Sequence, residues 1–133
     1  MDSITLLDGG TTATTGGSNQ VFAPIGKTVT NGKAFGDVAV SDLTSREEIM
    51  IKSRAAVFNQ NTSLWSKQKT SSTYLIPYYD SDGRQFFSLI RVEMEVAPEH
   101  LTNVSTLIDT LREKGAQMIV DAEMDGTWNT GAY

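Results

Sequence analysis

The run from Phe86 to Val96 keeps apolar side chains on every second position, then passes through Ala97-Pro98 into a stretch of helical period. A strand and a helix joined this tightly share a surface. At the two-residue period of an extended chain, Phe86, Ile90, Val92, Met94 and Val96 fall on one side, and Phe87, Leu89, Arg91, Glu93 and Glu95 on the other. One face of the resulting sheet is apolar and has to be covered. The opposite face is free to meet something polar.

Past Pro98 the period becomes 3.6, with Leu101, Val104, Leu107, Ile108 and Leu111 in one stripe. Pro98 and Glu99 suit the first turn, Arg112 and Lys114 the last, and Gly115 a helix end. A second, shorter helix is expected over Ala116–Met124, with Met118, Ile119 and Ala122 as its apolar side. The tail from Asp125 to Tyr133 is irregular.

Upstream, Ser3–Asp8 and Asn19–Ile25 read as short strands around a glycine- and threonine-rich stretch, Gly9 to Gly17. They form either a hairpin with a flexible tip, the reading adopted here, or a disordered arm. No Gly-Lys-Ser/Thr follows these glycines, so they do not form a phosphate loop. Asn31-Gly32 is a strong turn signal, and Lys33–Val40 makes a further strand. From Glu47 to Phe58 alternation returns, with Ile49, Ile51 and Ser53 on one side and Met50, Lys52 and Arg54 on the other. Asn59-Gln60-Asn61 is a turn. Thr62–Tyr79 reads as one long, bulged strand whose face assignment stays open because Pro77 interrupts it. Asp80-Ser81-Asp82-Gly83 then closes a hairpin onto the opening strand.

A chain of 133 residues with 39% hydrophobic and 20% charged residues supports one core, and a single domain spanning 1-133 is expected. Its parts are an N-terminal hairpin (1-26), a sheet (33-97) and helices (98-125). The fold class is α+β: an antiparallel sheet of about five strands and two C-terminal helices on one side. Two such helices are too few for that sheet. A twofold dimer, each chain's helices lying over its partner's strands, supplies the missing cover and would bury more than about 2,000 Å².

Chemistry is constrained from several sides. There are no cysteines and one histidine, His100, so thiolate sites are excluded and imidazole chemistry has little scope. His100 lacks a serine-acid constellation and reads as a capping or surface residue. Asp80, Asp82 and Gly83 resemble a calcium-loop fragment, but the twelfth position is Arg91 rather than Glu, so a hairpin turn is the better reading. No enzyme activity, metal or cofactor is implied, and no stretch is long and apolar enough to span a membrane. The beginning MDSITLL lacks a signal pattern, so a cytoplasmic protein is expected. A formal net charge of -5 disfavours a wide basic surface but permits a local one. Trp65 and Trp128 are expected to be buried, in the core, a dimer or an intersubunit contact.

In this order the motifs resemble a family, the coat proteins of single-stranded RNA bacteriophages (levivirus-like). The resemblance rests on the Leu-Leu-Asp-Gly-Gly hairpin, Asn31-Gly32, the Ser45-to-Arg54 strand, and Ser-Leu-Ile-Arg-Val-Glu-Met-Glu-Val entering the helices. The ending Asn129-Thr130-Gly131-Ala132-Tyr133 is also similar. It implies an interlocked homodimer with helices outside, an icosahedral shell, a virion assembled in a bacterial cytoplasm, and a maturation-protein partner. The inward sheet face would bind an RNA hairpin that represses translation and marks the genome for packaging. Residue by residue, Met50, Lys52 and Arg54 match one RNA-contacting strand, Leu89, Arg91 and Glu93 another, with Lys67 and Lys69 on the strand between.

Departures accompany the match. Leu89 stands where the family often has a stacking tyrosine, and Met50 where it has a small polar residue. RNA binding with altered hairpin specificity, or largely nonspecific binding, are both compatible with these changes. Outside the family, the same lysines and arginines would be a solvated sheet face, and the chain a dimeric module binding a small ligand or peptide.

Overall fold

The computed structural model describes residues 2–9, 15–99, 104–124, 127, 128 and 131. The strands are β1 (Ile4–Asp8), β2 (Ser18–Pro24), β3 (Gly32–Asp37), β4 (Glu48–Arg54), β5 (Phe58–Asn59), β6 (Leu64–Trp65), β7 (Gln68–Tyr79) and β8 (Gln85–Val96). A helix, α1 (Val104–Val120), and a 3-10 turn (Ala122–Met124) follow. Six strands form one sheet in the order β1-β2-β3-β4-β7-β8, and β5 pairs with β6 as a separate ribbon. The chain divides into two compact units, Met1–Ala56 with Gln68–Glu95, and Val57–Lys67 with Val96–Tyr133.

Within the first unit, register decides what each face carries. Ile49 pairs with Phe35 on β3 and Tyr74 on β7, whereas Met50 pairs with Ala34 and Thr73. Cross-strand partners share a face, so the alternation of β4 propagates through its neighbours. On the apolar face Phe22, Phe35 and Ile49 are buried, with Ile4, Ile51 and Tyr74 packed against them. Phe22 meets Tyr74 edge-on, ring centroids 6.1 Å apart.

The same face holds a polar staple. Gln20 Nε2 donates to Asp37 Oδ2 at 2.8 Å and to Glu47 Oε2 at 2.6 Å, while the Tyr74 hydroxyl donates to Glu47. Asp37 is buried, and its second oxygen accepts from the Ala39 amide at 2.9 Å. Burial, and then the Glu47 carboxylate, push the Tyr74 phenol well above its ordinary range, so it stays a donor. The staple joins β2, β3, the entry to β4, and β7.

Several expectations are corrected. The sheet has six strands rather than about five, and Thr62–Tyr79 is not one strand: Leu64–Trp65 folds back on Phe58–Asn59 around Asn59–Ser63, and β7 starts at Gln68. Ser63 takes a positive φ of 55° there, and the Asn59 side chain accepts from the Asn61 amide, which pins the turn. The strand expected to run from Glu47 to Phe58 ends at Arg54. The two expected helices are one: α1 continues through Gly115 to Val120, and a 3-10 turn, Ala122–Met124, follows it. A lone glycine between Lys114 and Ala116 costs helix about 1 kcal/mol but does not stop it without a left-handed cap residue or a following proline. Arg112 and Lys114 are therefore interior. Trp65 and Trp128 are 50% and 52% exposed in the single chain, so of the core, dimer and intersubunit positions expected for them the core is the one that does not hold. His100, Leu101 and most of the expected final motif lie outside the described residues.

Two glycines separate close approach from mere flexibility. A Cβ at Gly32 would lie 2.2 Å from the Ile51 carbonyl oxygen, whereas one at Gly115 would meet nothing within 4 Å. We expect Gly115→Ala to stabilise the protein by about 0.5–1 kcal/mol and Gly32→Ala to destabilise it by about 1–3 kcal/mol. Urea denaturation midpoints of the two variants test this, and a lowered midpoint for Gly115→Ala would contradict it.

Candidate functional site

Side chains at even positions of β4 and odd positions of β7 and β8 emerge on the face opposite the Phe22 core. There a shallow depression of about 390 Å³ is lined by Met50, Lys52 and Arg54 from β4, Lys69, Ser71 and Thr73 from β7, and Arg91 and Glu93 from β8. Thr30, Asn31 and Ser53 complete its rim. Asn31 reaches it from a turn held at a positive φ of 55°, a conformation asparagine tolerates. The register places Lys52 opposite Ser71, Met50 opposite Thr73, and Arg54 opposite Lys69.

Its four cations are not equivalent. Lys69 Nζ is paired with Glu93 Oε1 at 2.7 Å and with Glu95 Oε1 at 3.4 Å. Arg91 Nε donates to Thr73 Oγ1 at 3.3 Å, which orients its guanidinium along the sheet. The side chains of Lys52 and Arg54 make no hydrogen bond or ion pair with another described residue and are exposed. One edge of the depression is internally neutralised, and the β4 edge presents positive charge that no described residue pairs. Such a surface offers charge-assisted donors to anionic oxygens beside hydroxyls and an apolar Met50 floor.

Six of the eight sequence-derived site residues, Met50, Lys52, Arg54, Lys69, Arg91 and Glu93, line this one depression. Leu89 shares their face of β8, one alternation away, and is half exposed. Lys67 precedes β7 and belongs to the other compact unit. Ser71 and Thr73 do not stand out in the sequence, because Thr62–Tyr79 read as one strand leaves its faces open. Their parity against Met50 and Lys52 was the available signal, and it became readable only once the strand start at Gln68 was known.

Neither a family model nor a curated protein sequence matches the chain. Solved structures do. The virus-like particle of bacteriophage GQ-907 is 33% identical, with a TM-score of 0.81 over 94% of this chain and 92% of that one. The chain belongs to the levivirus-like coat proteins of single-stranded RNA bacteriophages. The same fold recurs at 10% identity in the virus-like particle of Beihai levi-like virus 21, TM-score 0.70 over 100% of this chain and 96% of that one. For bacteriophage AVE019 the values are 12% and 0.65. As a coat protein the chain has a structural role, and no helix among its described residues is long and apolar enough to cross a membrane.

In this coat protein the Lys69 triad sets the electrostatics of one edge. Its hydrogen bond to Glu93, outweighing desolvation, raises the Lys69 pKa above the ordinary 10.5. A raised folded pKa contributes stability that is complete below the unfolded value and lost as pH rises through the folded one, here above 10.5. The triad therefore stays intact through the neutral range, where salt rather than pH loosens it. We expect Glu93→Gln to bring the Lys69 pKa back toward 10.5. An NMR titration of the lysine side chain checks this, and an unmoved midpoint would count against Glu93 as the principal partner.

Proposed function

We propose that this coat protein forms a homodimer in which each subunit's helices cover apolar strand surface of its partner. Dimers then assemble into an icosahedral shell with the polar sheet face turned inward onto single-stranded RNA. The observation that carries the RNA reading is the depression with four cations on one sheet face, two of them, Lys52 and Arg54, unengaged by any described residue. With a formal net charge of -5, contact with phosphate depends on such a local patch. Met50 and the Ser71 hydroxyl give an unpaired base an apolar floor with a polar neighbour. Binding of an RNA hairpin as packaging signal and translational repressor, and recruitment of a maturation protein, belong to the same proposal, which family membership supports. So does assembly in the bacterial cytoplasm. Leu89 and Met50 point to a hairpin preference different from that of relatives that stack a base on tyrosine.

The dimer reading rests on the uncovered side of β8. Ile90 is 40% and Val92 47% exposed in the single chain, although their alternation assigns them to the apolar face. Phe86, Ile76 and Tyr78 are exposed as well. A partner's helices provide the apolar cover these residues lack, at an interface of the size an obligate dimer needs. The similar structures from GQ-907, Beihai levi-like virus 21 and AVE019 are virus-like particles, which supports assembly of this chain into a shell.

Electron microscopy of the recombinant protein is expected to reveal uniform shells containing host RNA; small dimers under every salt and pH condition would refute shell formation. Replacing Arg54 and Arg91 together by alanine is expected to lower the packaged RNA. It should also flatten the salt dependence of RNA binding by about 0.7 per lost single-strand phosphate contact. Intact particles of the double variant with unchanged RNA content and slope would remove these residues from the interface. Val92→Asp is expected to leave monomers in sedimentation velocity, and a retained dimer would refute the proposed cover of β8.

A further inference from the structure

The second compact unit, Val57–Lys67 with Val96–Tyr133, has almost no interior of its own. Among its described residues Val96 is the one buried apolar side chain, whereas Val57, Phe58, Leu64 and Trp65 of the β5–β6 ribbon are between 44% and 65% exposed. At the end of α1, Met118 and Val120 are each 59% exposed, and Ile119 is exposed between them.

Neither element is satisfied within its own chain. Phe58 pairs with Trp65 and Asn59 with Leu64, so the ribbon turns two rings to one side, 5.2 Å apart, and Leu64 to the other. Its open end is closed as well: the Ser66 amide donates to the Val57 carbonyl and Ser66 Oγ accepts from the Val57 amide, both at 2.9 Å. A two-stranded ribbon standing alone in water is marginally stable at best, and this one shows apolar groups on both faces. Successive residues lie about 100° apart around a helix, so Met118, Ile119 and Val120 take up more than half the circumference of the last turn of α1. A helix apolar on all sides is a buried one.

Charge narrows what covers them. Val57–Lys67 holds one charged side chain, Lys67, and residues 116–120 hold none. Neither element offers the repeated cations that a polyanion or an anionic membrane needs. Each lacks an uncharged apolar surface, and each is such a surface. In the shell proposed above, every subunit is surrounded by copies of itself.

We propose that the β5–β6 ribbon of one copy packs against the C-terminal turn of α1 of a second copy, and the second copy's ribbon against the first helix. Reciprocity of this kind is what a twofold contact imposes, since a residue that meets its partner's is met in turn. The contact rests on the reading above that copies of this chain associate, but it uses neither β8 nor the polar sheet face. The ribbon is thereby an assembly element and not merely the connection from β4 to β7.

The chain has no cysteine, so single cysteines report the contact without background. Leu64→Cys and Met118→Cys, both at exposed positions, are to be dissociated, mixed, reassembled and treated with a short bismaleimide. The mixture is expected to give a covalent dimer on a denaturing gel, and each variant alone to stay monomeric on it. Trp65, made the sole tryptophan by Trp128→Phe, is expected to shift its emission to shorter wavelength and lose acrylamide quenching on association of nuclease-treated protein. Particles that form without a cross-link in the mixture overturn this contact and leave the dimer reading standing. Cross-linking of Leu64→Cys alone would put another ribbon in place of the helix, and protection of Trp65 that nuclease abolishes would make RNA the occupant; either result overturns the proposal. If the unsubstituted protein sediments as a monomer under every condition, this contact and the β8 dimer fall together.

Discussion

The two-residue period of an extended chain governs both halves of this molecule's behaviour. Each residue that sends an apolar side chain toward the Phe22 core fixes its neighbours on the opposite face, so Ile49 and Ile51 position Met50 and Lys52. A slip of one residue in β4 would expose Ile49 and bury Lys52 at the same time. The hydrophobic requirement that sets the register thus also places the cations, without any contact dedicated to arranging them. Register is held further by the Gln20, Asp37, Glu47 and Tyr74 staple, because those partners meet only when β2, β3, β4 and β7 are aligned as observed.

Within the polar face, charge is graded along the strands. Lys69 is committed to Glu93 and Glu95, Arg91 is half committed through Thr73, and Lys52 and Arg54 are engaged by no described residue. An anion meets least competition at the β4 edge. A strongly charged patch on all three strands would attract polyanions indiscriminately and repel itself when many copies are brought together in a shell. Partial internal neutralisation limits both effects while leaving a directional strip, and an overall acidic chain limits them further.

The alternation of β4 and β8 was legible from the residues alone, and with it the side on which Met50, Lys52, Arg54, Arg91 and Glu93 emerge. What was not legible followed from weaker local physics. The β5–β6 ribbon depends on Ser63 adopting a positive φ and on Asn59 capping its own turn, and a run rich in Ser, Thr and aromatic residues carries no period to reveal either. Gly115 was given too much weight, since its helix cost is smaller than the hydrogen bonds gained by continuing. Ser71 and Thr73 were missed because small polar residues acquire meaning only from their cross-strand partners, Lys52 and Met50.

The exposure of Ile90, Val92, Trp65 and Trp128 follows from the same logic. Burial at these positions was inferred from side-chain type, which reports what a residue requires and not which chain supplies it. If the subunit completes itself on association, as proposed, the requirement stays unmet in the single chain, and the unmet positions trace the surfaces to be covered. Ile90 and Val92 lie back to back with Leu89 and Arg91 on one strand, so association through one face leaves the other open to RNA. Shell formation and RNA contact are therefore compatible in the same strand, and a dimer that covered β8 from the Leu89 and Arg91 side would forfeit the second to obtain the first.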